Sequence, residues 1–305
     1  MDGGDGAAAF NSYLSLAQVD GIAVRTSWQI LAPSRGSYDW TTVDAAVSAA
    51  TSSGKKFGLH VLSSVFAAPP TWVVSEGAQT YSYPSPAGAT VTDALPWDST
   101  YLSEWSTFVS ALSSHLQASG GMARLQYVSV SVPAPEMSLP GCFNGLMGTS
   151  GTSYDRTKYR NAWQSTIQAM HTSFPGVAKF LPVPVATICR PDSDGPTLYG
   201  ELLGTALGLE AKGFAFYATD LNALGSTRMN GVASLQGRAP VAMQFIWSAS
   251  QDPTQRMQGT LKAAVCSGLR TYGTTVFEVY KPDLASTDAA IQAGIAAIHS
   301  PQQCP

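Results

Sequence analysis

From residue 21 to residue 299, short apolar runs alternate with segments whose apolar residues recur every three to four positions. An apolar run bounded by turn residues reads as a strand buried on both faces, and the longer period reads as an amphipathic helix. Their regular alternation points to βα units and a parallel sheet. Strands are expected at Gly21–Arg25, Lys56–Leu62, Leu125–Val132, Ala178–Ile188, Gly213–Thr219, Pro240–Trp247 and Thr274–Tyr280. Helices are expected at Thr41–Ser53, Tyr101–Gln117, Tyr154–Ser173, Thr197–Leu209, Pro253–Ser267 and Thr287–His299, with a short piece near Arg228–Leu235. Ala7–Val19 reads as a helix ahead of the first clear strand. A (β/α)8 TIM barrel needs roughly 250 residues, and the 305 here suffice. Seven strands are clear, so the expected fold is a (β/α)8 barrel whose first strand is weak or missing at the N-terminus. Neither a linker nor a shift in composition interrupts the rhythm, which predicts one domain over residues 1–305.

The rhythm breaks once, in the Pro-, Gly-, Tyr- and Trp-rich stretch Ser63–Ser99. A loop that long inside a compact domain is more often functional than accidental.

Charge is scarce. Asp, Glu, Lys and Arg make up 12% of the chain, with a net charge of −3, against a usual ~25%. No Lys/Arg cluster exists to track phosphates, so a nucleic-acid partner is not expected. No apolar run reaches the ~18 residues of a membrane span. A weakly charged polar skin with 10% aromatics suits a protein that handles neutral sugars. The residues after Met1 lack the basic and apolar regions of a signal peptide; the expectation is a secreted monomer whose signal is absent from this chain.

The cysteines, Cys142, Cys189, Cys266 and Cys304, show no CxxC or zinc-type spacing, so neither a metal site nor any other cofactor is expected. An even count favours two disulfides over buried thiols. Cys142 and Cys189 follow strand-like segments and could meet in neighbouring loops; Cys266 with Cys304 would staple the tail.

The chain has six Glu. Glu104, Glu201 and Glu210 fall on or beside predicted helices and read as solvated face residues; Glu76 is in the long loop. Only Glu136 and Glu278 adjoin apolar strands. A carboxyl there is partly desolvated, which raises its pKa toward the range a general acid needs. Active sites of parallel barrels lie at the C-terminal strand ends. Glycosidases mostly use two carboxyls flanking the scissile bond, about 5 Å apart for retention and about 6.5–9.5 Å for inversion. Other chemistries lack their motifs: no G-x-S-x-G, no H-E-x-x-H and no P-loop occur.

The segment Asp20-Gly21-Ile22-Ala23-Val24-Arg25-Thr26-Ser27-Trp28, followed by Pro33, Gly36, Tyr38-Asp39-Trp40, Val43-Asp44, Gly54-Lys55-Lys56 and Pro69-Pro70-Thr71-Trp72, resembles clan A TIM-barrel glycoside hydrolases, β-galactosidase-like and cellulase-like. Trp97-Asp98, Tyr101, Trp105 and Phe108 resemble the helix that precedes the acid/base strand of that group. The resemblance implies no cofactor, a carbohydrate substrate, retention, and an acid/base at Glu136. It also implies that Arg25 braces the nucleophile and that Tyr217 hydrogen-bonds it. The chain departs from the pattern twice. Pro135 stands where the group has an Asn, and Gln244 stands where it has the nucleophile, one strand before Glu278. The second carboxylate is therefore expected at Glu278, with a degenerate carbohydrate-binding barrel as the alternative. An Arg on a barrel strand is costly unless paired, so Arg25 needs a carboxylate partner. His60 is a candidate sugar contact or a core histidine. Trp28, Trp72, Trp247 and Tyr280 are candidate stacking faces for sugar rings, with core packing as the other reading. Asp192 and Asp220 read as turn formers.

Overall fold

The computed structural model describes residues 7–63, 69–84, 90–131, 155–183, 214–218, 233, 236–237, 239–245, 248–251 and 259–304. Helix α1 (Ala7–Leu14) buries Phe10 and Leu14 and leads to strand β1 (Gly21–Ser27). The one-turn helix α2 (Trp28–Leu31), α3 (Thr41–Ser53) and β2 (Lys56–Leu62) follow. Then come the short α4 (Thr71–Ser75), strands β3 (Thr80–Pro84) and β4 (Thr90–Ala94), and the long α5 (Ser99–Ala118). Strand β5 (Leu125–Ser129), helix α6 (Arg156–Ser173) and strands β6 (Ala178–Val183), β7 (Phe214–Ala218) and β8 (Val241–Gln244) continue the chain. Helix α7 (Leu261–Tyr272), β9 (Thr274–Glu278), one-turn α8 (Lys281–Leu284) and α9 (Ala289–His299) end it.

Seven strands pair in parallel in the order β1-β2-β5-β6-β7-β8-β9. Flat, with strands ~4.8 Å apart, such a sheet would hold β1 and β9 about 29 Å from one another. Instead Arg25 on β1 lies 3.0 Å from Glu278 on β9. The sheet has curled on itself, which is the closure of a (β/α)8 barrel. Helix-level contacts repeat it. His299 at the end of α9 hydrogen-bonds the Gln18 carbonyl at 2.9 Å, and the Lys281 ammonium lies 5.4 Å from the Tyr13 ring centre. The weak N-terminal strand is not among the described residues; there α1 precedes β1.

Strand alternation produces two apolar layers. One face of each strand, with Phe57, Leu59, Val61, Val128, Leu181, Val241 and Met243, packs in one cluster with helix residues such as Val43, Phe108, Leu112 and Ile167. The other face turns inward, where Tyr127, Phe180 and Ala242 form a small separate cluster with Ala178 and Val276. The barrel lumen is thus apolar in its depth and polar nearer the C-terminal strand ends.

The structure departs from the expected elements in several places. The long stretch Ser63–Ser99 carries α4 and the antiparallel β3–β4 hairpin, registered Tyr81 to Asp93. The helix expected at Pro253–Ser267 instead spans Leu261–Tyr272, capped by the Thr260 hydroxyl and ended by Gly273 at φ 62°. Gly268 lies within that helix, where a Cβ would approach the Phe277 ring to 2.8 Å. The last predicted strand ends at Glu278 rather than Tyr280, since Tyr280 caps α8. Bounds of the strand and helix at 178–188 and 197–209, and of the helical piece at 228–235, fall wholly or partly outside the described residues.

Cys266 on α7 is disulfide-bonded to Cys304, and the Arg270 guanidinium of the same helix donates to the Cys304 carbonyl, so the tail is stapled to α7. Cys142 and Cys189 lie outside the described residues. The bond closes a 38-residue separation, and a crosslink of that span contributes about 2–4 kcal/mol. Cys304→Ser is expected to lower the unfolding free energy by about that amount, read by urea denaturation. An unchanged midpoint would show that the staple carries no stability.

Candidate active site

Glu278 is the last residue of β9, and its side chain meets groups on three other strands. Its Oε2 accepts from Arg25 Nη2 at 3.0 Å. Its Oε1 is bonded to His60 Nε2 at 2.6 Å and accepts from the Tyr127 hydroxyl at 2.5 Å. Arg25 and His60 are register partners on β1 and β2, which sets their side chains beside each other on the inward face. Tyr127 sits one layer deeper, opposite Gly58. A Cβ on residue 58 would stand 1.9 Å from the Tyr127 ring, so only glycine lets the phenol lean across β2 to reach the carboxylate. Phe180 stacks on the ring at 4.1 Å and His60 meets it edge-on at 5.5 Å, fixing its direction.

Glu278 and His60 are buried. Burial alone would raise the carboxyl pKa, but His60, Arg25 and the Tyr127 hydroxyl favour the ionised form and together hold it well below the usual carboxylate range. The same burial, with the Glu278 charge, pushes the Tyr127 phenol far up, so Tyr127 remains a donor. The arrangement is a carboxylate held in its ionised form at the C-terminal end of a barrel strand. Such a group can act as a nucleophile, as a base or as an electrostatic partner for a developing cation. The rise in pKa that burial beside an apolar strand would cause is thus outweighed at this position by the three partners.

The remaining candidates divide. Gln244, half-buried, is the register partner of Glu278 on β8, which places a neutral amide beside the carboxylate. Tyr217 lies on β7 in register with Ala242. Glu136 and Trp247 lie outside the described residues, as do Asp192 and Asp220. Tyr280 is half-buried just past β9. Trp28 is a correction: it is fully buried, with Trp105, Phe108, Trp72 and Tyr101 around its ring at 5.2–5.9 Å. It offers no face to a ligand and anchors the outer core. Trp72 stands edge-on to Trp28 and donates to the Ala32 carbonyl, on the outer side of the barrel wall rather than in the Glu278 cluster. Sequence reasoning missed Tyr127, which reads as one more aromatic of an apolar strand. The available signal was Gly58, a glycine inside a neighbouring strand, where close approach is the usual cause.

Among the described residues, no three His, Cys, Asp or Glu side chains gather where they could hold a metal ion, and no helix is long and apolar enough to cross a membrane.

No protein-family model matches the sequence, and no curated protein matches it either. Solved structures do match in fold. The catalytic domain of a β-amylase from Paenibacillus polymyxa superposes with a TM-score of 0.67 over 100% of this chain and 97% of that one, at 11% identity. An exo-β-1,4-mannosidase from Opitutaceae bacterium strain TAV5 superposes with a TM-score of 0.54 over 97% of this chain and 56% of that longer chain, also at 11% identity. With the closure seen here, the fold is that of a TIM barrel.

The Glu278 cluster predicts a pH dependence. Its folded-state pKa lies below the ordinary value of 4.5, so its stabilisation is complete above that pH and lost as pH falls toward the folded value. Between pH 5 and pH 3 the wild type should lose up to ~1.4 kcal/mol per pH unit more steeply than Glu278→Gln. Equal slopes in urea-unfolding series would contradict the pairing.

Proposed function

We propose that the protein is a glycoside hydrolase, a single catalytic domain over residues 1–305 that cleaves O-glycosidic bonds of a neutral oligo- or polysaccharide. The observation that carries the reading is Glu278, held ionised by Arg25, His60 and Tyr127 at the C-terminal end of a barrel strand. A glycosidase nucleophile must be charged before substrate arrives, while its partner must carry a proton. Glu278 has the first property, and Glu136, which follows β5 in sequence, is the proposed proton donor and later base. The low charge of the chain fits a neutral substrate. The two fold neighbours named above, a β-amylase and an exo-β-1,4-mannosidase, support the same class. The disulfide is compatible with an extracellular protein.

In the proposed mechanism Glu278 attacks the anomeric carbon while Glu136 protonates the leaving oxygen. Glu136 then deprotonates the water that releases the sugar, with net retention. Arg25 and His60 keep Glu278 ionised and oriented, and Tyr127 fixes Oε1 until the carboxylate becomes an ester.

A second reading is a carbohydrate-binding barrel without turnover. Gln244, on β8 next to Glu278, favours it, because an amide there cannot act as the carboxylate that the resemblance places on that strand.

Reducing-sugar release from a panel of neutral polysaccharides separates the readings. Glu278→Gln and Glu136→Gln are each expected to lower kcat by about 10²–10⁴-fold, with KM changed far less. Full activity in either variant would remove that residue's role. Binding without reducing ends in the wild type would favour the second reading. Proton NMR of the first product should show the substrate's own anomer; the opposite anomer would replace retention by inversion.

A further inference from the structure

A cleft of about 230 Å³ lies on the outer side of the barrel wall, between the loop that follows α2, helix α4 and helix α5. Its lining includes Arg35, Tyr38, Trp72, Ser103, Glu104 and Thr107, and it shares none of these with the Glu278 cluster. Two aromatic side chains, Tyr38 and Trp72, are half-buried in it, so each has part of its ring open. Tyr38 stacks on Trp40 at 5.0 Å, and Trp72 is fixed by its bond to the Ala32 carbonyl, so both rings are held in place before any ligand arrives.

The polar groups are also prearranged. Arg35 bridges Glu104 at 2.6 Å and Glu76 at 3.1 Å. Glu104 is buried, and only its Oε1 is engaged by that bridge; Oε2 takes no hydrogen bond among the described residues. One guanidinium against two carboxylates leaves no net positive charge, so the cleft is not an anion site. Rigid aromatic faces beside an open carboxylate oxygen and guanidinium N–H groups match a pyranose, which has an apolar face and a rim of hydroxyl donors and acceptors. The volume is below the roughly 300–1,000 Å³ of pockets for larger ligands, which fits one ring of a longer chain.

We propose that this cleft is a second carbohydrate-binding site, which grips one neutral sugar unit of a polymer at a distance from the Glu278 cluster. The proposal rests on the carbohydrate reading of the barrel but not on hydrolysis. Tyr38 and Trp72 stack on the ring, and Glu104 Oε2 accepts from a hydroxyl.

Native-gel retardation at low temperature, with soluble starch, β-1,4-mannan or xylan in the gel, tests it. Ser103→Trp and Thr107→Trp fill the cleft from the exposed face of α5 without removing a core residue. Wild type and Glu278→Gln should both be retarded by at least one polymer, with affinity at least tenfold weaker in Ser103→Trp or Thr107→Trp. Retardation unchanged in both filling variants overturns the proposal, as does retardation lost only in Glu278→Gln or retardation by none of the polymers. Turnover is not read, so a failure of the hydrolase reading leaves this test standing.

Discussion

The structure is organised around one buried carboxylate. Glu278 ends the last strand and is met by groups from the first three strands of the sheet order. Removing a carboxylate from water costs several kcal/mol unless its lone pairs are satisfied. Here that demand is met only if β9 comes round to β1, so the same bonds that solvate the charge also record the barrel's closure. Electrostatics and topology are coupled at a single side chain. The His299 and Lys281 contacts to the N-terminal segment support that closure at the level of the helices.

The site is built in two tiers. Arg25, His60, Gln244 and Glu278 occupy the upper inward layer as two register pairs. Tyr127 rises from the layer below, through the space Gly58 leaves, and Phe180 backs it. Each group is therefore oriented by a regular strand rather than by a loop, which gives the carboxylate a direction as well as a charge. Outside the wall, the aromatic cluster centred on Trp28 fixes α2, α4 and α5 against the sheet, and the surface cleft is shaped by that same packing.

Much of this was legible in the sequence, for stated reasons. The alternation of apolar runs and helical patterns reports the parallel sheet because its strands are buried on both faces. Glu278 stood out because so few Glu adjoin a strand, and Arg25 announced a carboxylate partner because an Arg on a barrel strand is costly unless paired. What stayed hidden depends on contacts between distant strands. A Trp at a strand end reads the same whether it faces a ligand or, as Trp28 does, the core. Tyr127 looks apolar until Gly58 is seen beside it. The β3–β4 hairpin is masked by the Pro and Gly content of its surroundings, and the environment that holds Glu278 ionised comes from three residues 151 to 253 positions away.

Glu278 is proposed as the nucleophilic carboxylate of a sugar-cleaving site. Incubation with 2-deoxy-2-fluoro glycosyl fluorides of glucose, mannose and xylose, followed by peptide mass spectrometry, addresses it most directly. Time-dependent inactivation by one of them is expected, with a glycosyl adduct on Glu278 in the peptide spanning β9. An adduct on any other carboxylate, or turnover that continues with no adduct, would contradict it.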